Sequence, residues 1–478
     1  MRKPTSIDLF AGCGGLARGL EWAGFDCIAF NELNIDAANT FATNFPSAMR
    51  LDGGIETALS DEVLEEVILP LIEHHRGLDL LSGGPPCQGY SGIGHRRTYP
   101  VSKRDIPTNH LYTEMIRVIE KTQPKVFLFE NVEGILTAAW YDFSEEKNLL
   151  KKWDEGEKFT VVQLKSLVKS LGLRLKSKRK EEMLTEARRE LDELAKEHLE
   201  AHRGEIFRDV WASFSGIDGY VSQPTLLHAY GFGVPQNRPR VMILGIRTDV
   251  FSKWNVEPAI FDPDDTSQSY ASQLRNNGGF FPTWDEDNID APDLIDVLSD
   301  LNFLGWTEKN CFHQKSAESD FQKLMRDGVQ TNDEGREILT DHLFSNHKKK
   351  TVKKFKYMLK HNVTKQSELP KEMRTKKFNQ KPLPPRWETK PTMTVTSMPD
   401  DYIHYSQPRS FSVREWARIQ SFPDKHIFCG KRTTGGPRRA GNPNEGFWER
   451  EVPKYTQIGN AVPPLMAKAI GDRVVSII

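Results

Sequence analysis

The sequence predicts a doubly wound α/β fold around a mostly parallel sheet. Short apolar runs alternate with helical patterns, the first run ends in a glycine-rich turn, and polar residues gather where the runs stop. A smaller second domain and a helical insertion account for the remainder of the chain.

The first run, "TSIDLF" (5–10), reads as a strand ending in Asp8 and Phe10. "AGCGGLARGLEWAGF" (11–25) follows, with glycines first and then Leu16, Leu20 and Ala23 at helical spacing. "DCIAFNE" (26–32) is the second strand and closes on Asn31 and Glu32. Strand, glycine turn, helix, strand and acid is the pattern of dinucleotide and S-adenosyl folds: glycines admit a ligand to the backbone, and the acid accepts ribose hydroxyls. A purely structural glycine turn is the alternative at this point. The G-x-G-G run lacks a GK[ST] ending, which disfavours a Walker-type phosphate loop. Further strands are expected at "GLDLLSGG" (77–84), "KVFLFENV" (125–132) and "PRVMILGI" (239–246), with an amphipathic helix at 109–124. In such a fold ligands sit at the carboxyl ends of the strands, where Asp8 to Gly14, Pro85 to Cys87 and Glu130–Asn131 would converge.

Composition narrows the class. The 478 residues are 38% hydrophobic and 27% charged, with a net charge of −1, an ordinary globular balance for about two to four domains. No apolar run is long enough to span a membrane, and the N-terminus does not read as a signal peptide. Five scattered cysteines without a C-x-x-C pair argue against a disulfide framework or a metal site and for a reducing cytoplasmic setting. Net charge hides local excess: 347–361, 373–381 and 430–439 are strongly basic, and 60–75 and 262–268 carry opposing acids.

Cys87 follows two prolines and precedes a glycine-rich run. The prolines fix the backbone before it and the glycines free the backbone after it. Alone, that placement suits a nucleophile or a structural turn equally. Glu130 in "ENVEGI" and the alternating Arg238 and Arg240 in "GVPQNRPRV" supply a carboxyl and guanidiniums at other strand ends. Thiol, carboxyl and guanidinium together suit attack on an electron-poor ring with stabilisation of its charge.

"DLFAGCGGLARGL", "GGPPCQGYSGIG", "ENVEGI", "GVPQNRPRV", "SVREWARIQSFPD" (412–424) and "IGNAVPP" (458–464) occur in the order seen in cytosine-C5 DNA methyltransferases, and the chain resembles that family across both ends. The resemblance implies the S-adenosyl methionine methyltransferase type of sheet and a smaller target-recognition domain. It implies Cys87 as the nucleophile that adds to C6 of cytosine, with Gln88 beside it. Glu130 would hydrogen-bond the ring at N3, Arg240 would contact the base carbonyl, and Arg238 and Gln236 would support the loop or touch the DNA backbone. Phe10, Gly12, Gly14, Gly15, Glu32, Pro85, Leu111, Asn460 and Val462 would surround the cofactor, S-adenosyl methionine. In "RLDGGIE" (50–56) two glycines separate Asp52 from Ile55, which leaves open which of them meets the adenine.

Base chemistry in duplex DNA requires a flipped nucleotide and a closing loop. Residues 89–109 are expected to serve as that loop, with Ser91, His95, Arg96 and Arg97 on DNA and Gln236 as a further contact. Residues 159–191 resemble a SAP-type helix–turn–helix whose Lys178, Arg179 and Lys180 would meet the duplex; a charged helical hairpin that props up the enzyme is the alternative.

The expected organisation is 1–140 and 206–247 as the catalytic domain, 141–205 as the helical insertion, 248–452 as target recognition and 453–478 as a return to the catalytic sheet. The expected partner is duplex DNA, beside a restriction endonuclease acting separately; neither membrane nor metal is expected, and a monomer is. A tRNA-methylating relative and a DNA-binding protein without catalysis are the competing readings. Cys311–Phe312 resembles the tRNA branch but its surroundings do not, and intact Cys87, Glu130 and Arg240 disfavour loss of catalysis.

Overall fold

The computed structural model describes residues 2–86, 107–140, scattered positions between 182 and 193, 202–254, 256–374, 380–434 and 451–478. Seven strands form one sheet: β1 (Thr5–Leu9), β2 (Asp26–Asn31), β3 (Met49–Leu51), β4 (Leu80–Gly83), β5 (Val126–Val132), β6 (Tyr220–His228) and β7 (Pro239–Arg247), in the order β3-β2-β1-β4-β5-β7-β6. The first five pair in parallel; β7 runs antiparallel to both β5 and β6. The strand order reverses between β1 and β4, so a crevice opens at their carboxyl ends.

All five strands expected from the sequence are present, and β3 and β6 are additions. β3 has three residues, too few to show a period. β6 carries Ser222, Gln223 and Pro224 within its run, which masks it as a strand. Proline is tolerated there because β6 lies at the sheet edge and pairs on one side only.

Alternation sorts the side chains onto two faces. On one, Ile7, Leu9, Leu81, Phe127 and Phe129 pack under the helices Tyr112–Thr122 and Glu205–Ser215. On the other, Leu80, Leu128, Met242 and Leu244 meet α1 (Gly15–Trp22) and the last helix, Pro464–Val475. Gly19 lets these two helices touch: a Cβ there would fall 2.3 Å from the Pro464 carbonyl. The chain's last helix thus returns to the sheet's beginning.

Residues 256–291 also belong to the sheet by packing. Phe280, Phe281 and Trp284 join its second face, and the Gln223 amide accepts from the main-chain N–H of Ala259 (2.8 Å) and Phe280 (2.9 Å). The second body therefore begins near Asp293, later than the boundary at 248 expected from the sequence. Its core joins the helices Leu294–Leu298, Asp320–Arg326 and Val413–Ile419 through Leu298, Met325 and Trp416. Buried charge ties these elements together. Arg418 grips Asp300 at 2.9 Å and Asp424 at 2.6 Å, and Arg409 grips Glu415 at 2.7 Å.

Candidate active site at the carboxyl edge of the sheet

The turn after β1 is bent by left-handed backbone at Phe10 (φ 54°), Gly12 (φ 55°) and Gly14 (φ 82°). This bend returns the Gly12 N–H to the end of β2, where it donates to Glu32 Oε2 at 2.9 Å; Asn34 N–H donates to Oε1 at 2.7 Å. The space in front of Gly12 is open, since a Cβ built there meets no atom within 4 Å. Gly14 is closed by contrast, its Cβ position lying 2.7 Å from the Phe45 ring. Gly15 backs onto the C-terminal segment, 2.4 Å from the Val462 carbonyl when a Cβ is added. The first turn and "GNAVPP" are thereby brought together, with Asn460 exposed beside them.

The two candidates after β3 separate. Ile55 is buried in the core, whereas Asp52 is exposed and ion-paired with Arg50 at 2.6 Å. Asn31 fixes this turn by donating to the carbonyls of Leu51 (2.8 Å) and Gly53 (3.0 Å). Cys13, in the same loop region, is fully buried and donates to the Gln457 carbonyl at 3.5 Å; burial pushes its thiol well above the usual range, so it is structural.

Opposite this turn, Glu130 stands near the end of β5. The β5–β7 register pairs Val132 with Arg240 and Glu130 with Met242, which makes Glu130 and Arg240 diagonal neighbours. Arg240 Nε lies 2.6 Å from Glu130 Oε1, and both side chains are nearly buried. Burial raises the Glu130 carboxyl above its ordinary pKa, against the opposing pull of Arg240 and Arg238. Gly84 presses on the same carboxylate: a Cβ there would sit 2.7 Å from Glu130 Oε2.

Two further residues, placed at the converging strand ends by the sequence but given no chemical role there, belong to this site. Asp8, also buried, accepts from Ser82 Oγ at 2.9 Å while its Oδ2 is without a partner. Its pKa is raised to about 7, chiefly by burial, with Glu32 and Glu130 adding to the rise. The signal was an acid set in register with a serine on the adjacent strand, which requires the strand pairing to be known. Asn131 donates to the Pro85 carbonyl at 3.3 Å and so ties the end of β5 to the proline run. Pro85 is itself buried, and Leu111 caps the helix that follows.

Arg238 and Gln236 both make supporting contacts, one of the two roles expected of them. Arg238 is buried and donates to the carbonyls of Val395 (3.0 Å) and Gly459 (2.7 Å), so it clamps segments together while its charge still acts on Glu130. Gln236 has no exposed surface; its amide donates to Ile419 O at 3.1 Å and accepts from Val395 N–H at 2.8 Å. A side chain so enclosed has no access to DNA, and its role is to join the sheet to the second body. Cys87, Gln88, Ser91, His95, Arg96, Arg97, Lys178, Arg179 and Lys180 lie outside the described residues.

Known proteins resemble this chain in sequence and in fold. The chain is 27% identical over 478 residues to the type II methyltransferase M.DdeI of Desulfomicrobium norvegicum, covering 98% of this chain and 88% of the relative. It is 25% identical over 471 residues to M1.HphI of Haemophilus parahaemolyticus, covering 98% and 86%. A solved prophage-encoded chain of Escherichia coli, assigned as a DNA modification methyltransferase, shares the fold with a TM-score of 0.59 at 20% identity, each chain 99% covered. Residues 5–155 and 195–476 match the C-5 cytosine-specific DNA methylase family, and the chain belongs to that family.

Proposed function

We propose that this protein methylates C5 of a flipped-out cytosine at a specific sequence in duplex DNA. One observation carries the reading: the buried Glu130–Arg240 pair at 2.6 Å, tied through Asn131 to the proline run that leads into Cys87.

Cytosine C5 is a weak nucleophile, and the residues present address that weakness. The Cys87 thiolate would add to C6, forming a C–S bond and moving the electron pair towards C5 and N3. Glu130, whose burial favours the protonated form, would hydrogen-bond N3 as negative charge gathers there. Arg240 would hold the base carbonyl and balance the same charge. C5, made nucleophilic, would accept the methyl group that the cofactor supplies, and loss of the C5 proton to solvent with expulsion of the Cys87 thiolate would then restore the ring.

The crevice fits S-adenosyl methionine: open space before Gly12, a carboxylate at the end of β2, and Asp52 on the rim while Ile55 is core. Phe10, Gly12, Gly14, Gly15, Glu32, Asp52, Pro85, Leu111, Asn460 and Val462 would hold it. When bound, it supplies a methyl group on a sulfonium, a good leaving group.

The names of the two relatives support a place in restriction–modification in a bacterial cytoplasm, with a separately acting endonuclease. The catalytic and cofactor residues all come from one chain, which supports a monomeric enzyme. The SAP-like stretch 159–191 falls within the interval 156–194 that the family match skips, which supports an addition to the common enzyme and a duplex contact of its own.

Covalent trapping tests the reading. Duplex DNA containing 5-fluorocytosine cannot lose the C5 substituent, so the wild type should form a denaturation-resistant adduct and Cys87→Ser should not. An adduct with tRNA and none with DNA would transfer the chain to the RNA branch.

A further inference from the structure

The helix Lys349–His361 lies in the second body and buries Phe355 and Met358 against Val363, Leu369 and Ile403. Lys354 also turns inward, donating to Gln380 Oε1 at 2.9 Å. The outward side differs in kind. Lys349, Lys353, Lys356 and Lys360 are all exposed, at spacings of four, three and four residues, and therefore form one stripe roughly 16 Å long.

This stripe is electrostatically unfavourable for the free protein. Like charges three and four residues apart repel, and the helix has no acid in its first turn, where the dipole favours one. Among the described residues no carboxylate lies within ion-pair distance of the four lysines. Several exposed lysines elsewhere are paired, Lys121 with Glu65, Lys323 with Asp320 and Lys468 with Asp472, whereas among the described residues none of the four in the stripe is. An uncompensated row on a regular helix suits an external polyanion with regularly spaced charge. A lipid surface does not fit, because the apolar side of the helix is already used in the core.

We infer that the Lys349–Lys353–Lys356–Lys360 stripe is a phosphate-backbone contact for duplex DNA, supplying affinity without reading sequence. The inference rests on the methyl-transfer reading for its partner and concerns a surface that the reaction itself does not use. Phosphate contacts of this kind fix position on the duplex and leave base choice to other residues.

The test replaces all four lysines by glutamine in the full chain and compares a control in which Lys121, Lys253, Lys323 and Lys468 are replaced, matching the charge change. Binding to a labelled duplex is followed by anisotropy across salt concentrations, and methyl transfer is assayed in parallel. The stripe variant should raise KM for DNA at least about tenfold and flatten log K against log salt by about 0.9 for each phosphate no longer neutralised. Its kcat at saturating DNA and its methylated sequence should match wild type, and the control should change neither KM nor slope. An unchanged slope and KM in the stripe variant would overturn the inference, as would a fall in kcat alone. Weakened affinity for structured RNA with duplex affinity intact would assign the surface to RNA and overturn it too. Absence of methyl transfer in the wild type would instead count against the catalytic reading, while the salt slope would still judge the stripe.

Discussion

Two groups of buried charge in this molecule differ in one respect. In the second body, Arg418 meets Asp300 and Asp424 with both ends of each carboxylate engaged, and Arg409 meets Glu415 as a fork. There the guanidiniums hold Glu415 and Asp424 well below the usual carboxylate range, overcoming the opposing effect of burial. At the carboxyl edge of the sheet, Asp8 leaves one oxygen without a partner, and Asp8 and Glu130 are both raised by burial. The first group is complete within the fold and fixes its shape. The second is incomplete within the fold, as a site for a reacting ligand should be. Buried charge alone therefore does not mark an active site; an incomplete set of partners does.

The largest effects should separate the two groups by what each supports. Arg418→Ala removes the guanidinium shared by two buried carboxylates, leaving Asp300 to Arg326 at 3.3 Å, and should cost about 3–5 kcal/mol of stability, read by denaturant unfolding. Glu130→Gln should instead lower kcat by about 10²–10⁴-fold with little change in Tm. If Glu130→Gln unfolds the protein as Arg418→Ala does, the distinction fails.

Gly84→Ala sharpens the same contrast, because the added methyl must displace the Glu130 carboxylate. A misplacement of this size should reduce kcat by about 10–100-fold. Cofactor binding measured by calorimetry should stay near wild type.

A smaller effect concerns pH. Folded Asp8 retains a proton up to a pH of about 7, whereas the unfolded chain loses it near 3.8. The stability this provides is complete below the unfolded value and declines as pH rises towards 7, by at most about 1.4 kcal/mol per pH unit. Asp8→Asn should flatten that decline in urea titrations of the free protein. Asp424 and Glu415 act with the opposite sign: their contribution is present above the ordinary carboxylate range and is lost as pH falls through it.

The parallel strands and the glycine turn were legible because they are local: apolar runs, glycines and a terminal acid each lie within a few residues. Glu130 and Arg240 were legible as members of one set at strand ends, whereas their pairing across β5 and β7 needs the register. Asp8 and Asn131 were placed at the strand ends by the sequence, but their contacts were hidden because these depend on a neighbouring strand or loop. For Gln236 and Arg238 the sequence left support and DNA contact open for a related reason. Polar residues in a loop suggest solvent or ligand, and only the packed segments 393–396 and 457–461 show that their partners are main-chain carbonyls and N–H groups. The packing of residues 256–291 on the sheet was hidden likewise, since it is carried by Gln223 and by Phe280, Phe281 and Trp284 across long separations.

The central claim is that the incomplete charge group at the sheet edge performs methyl transfer to cytosine. The most direct measurement is transfer of label from S-adenosyl methionine to mixed-sequence duplex DNA, with bisulfite sequencing of the product, for wild type, Glu130→Gln and Cys87→Ser. Protected cytosines confined to one sequence context in the wild type, strongly reduced in Glu130→Gln and absent in Cys87→Ser, is the predicted result. Undiminished transfer in Glu130→Gln, or label on DNA with no cytosine protected, would contradict it.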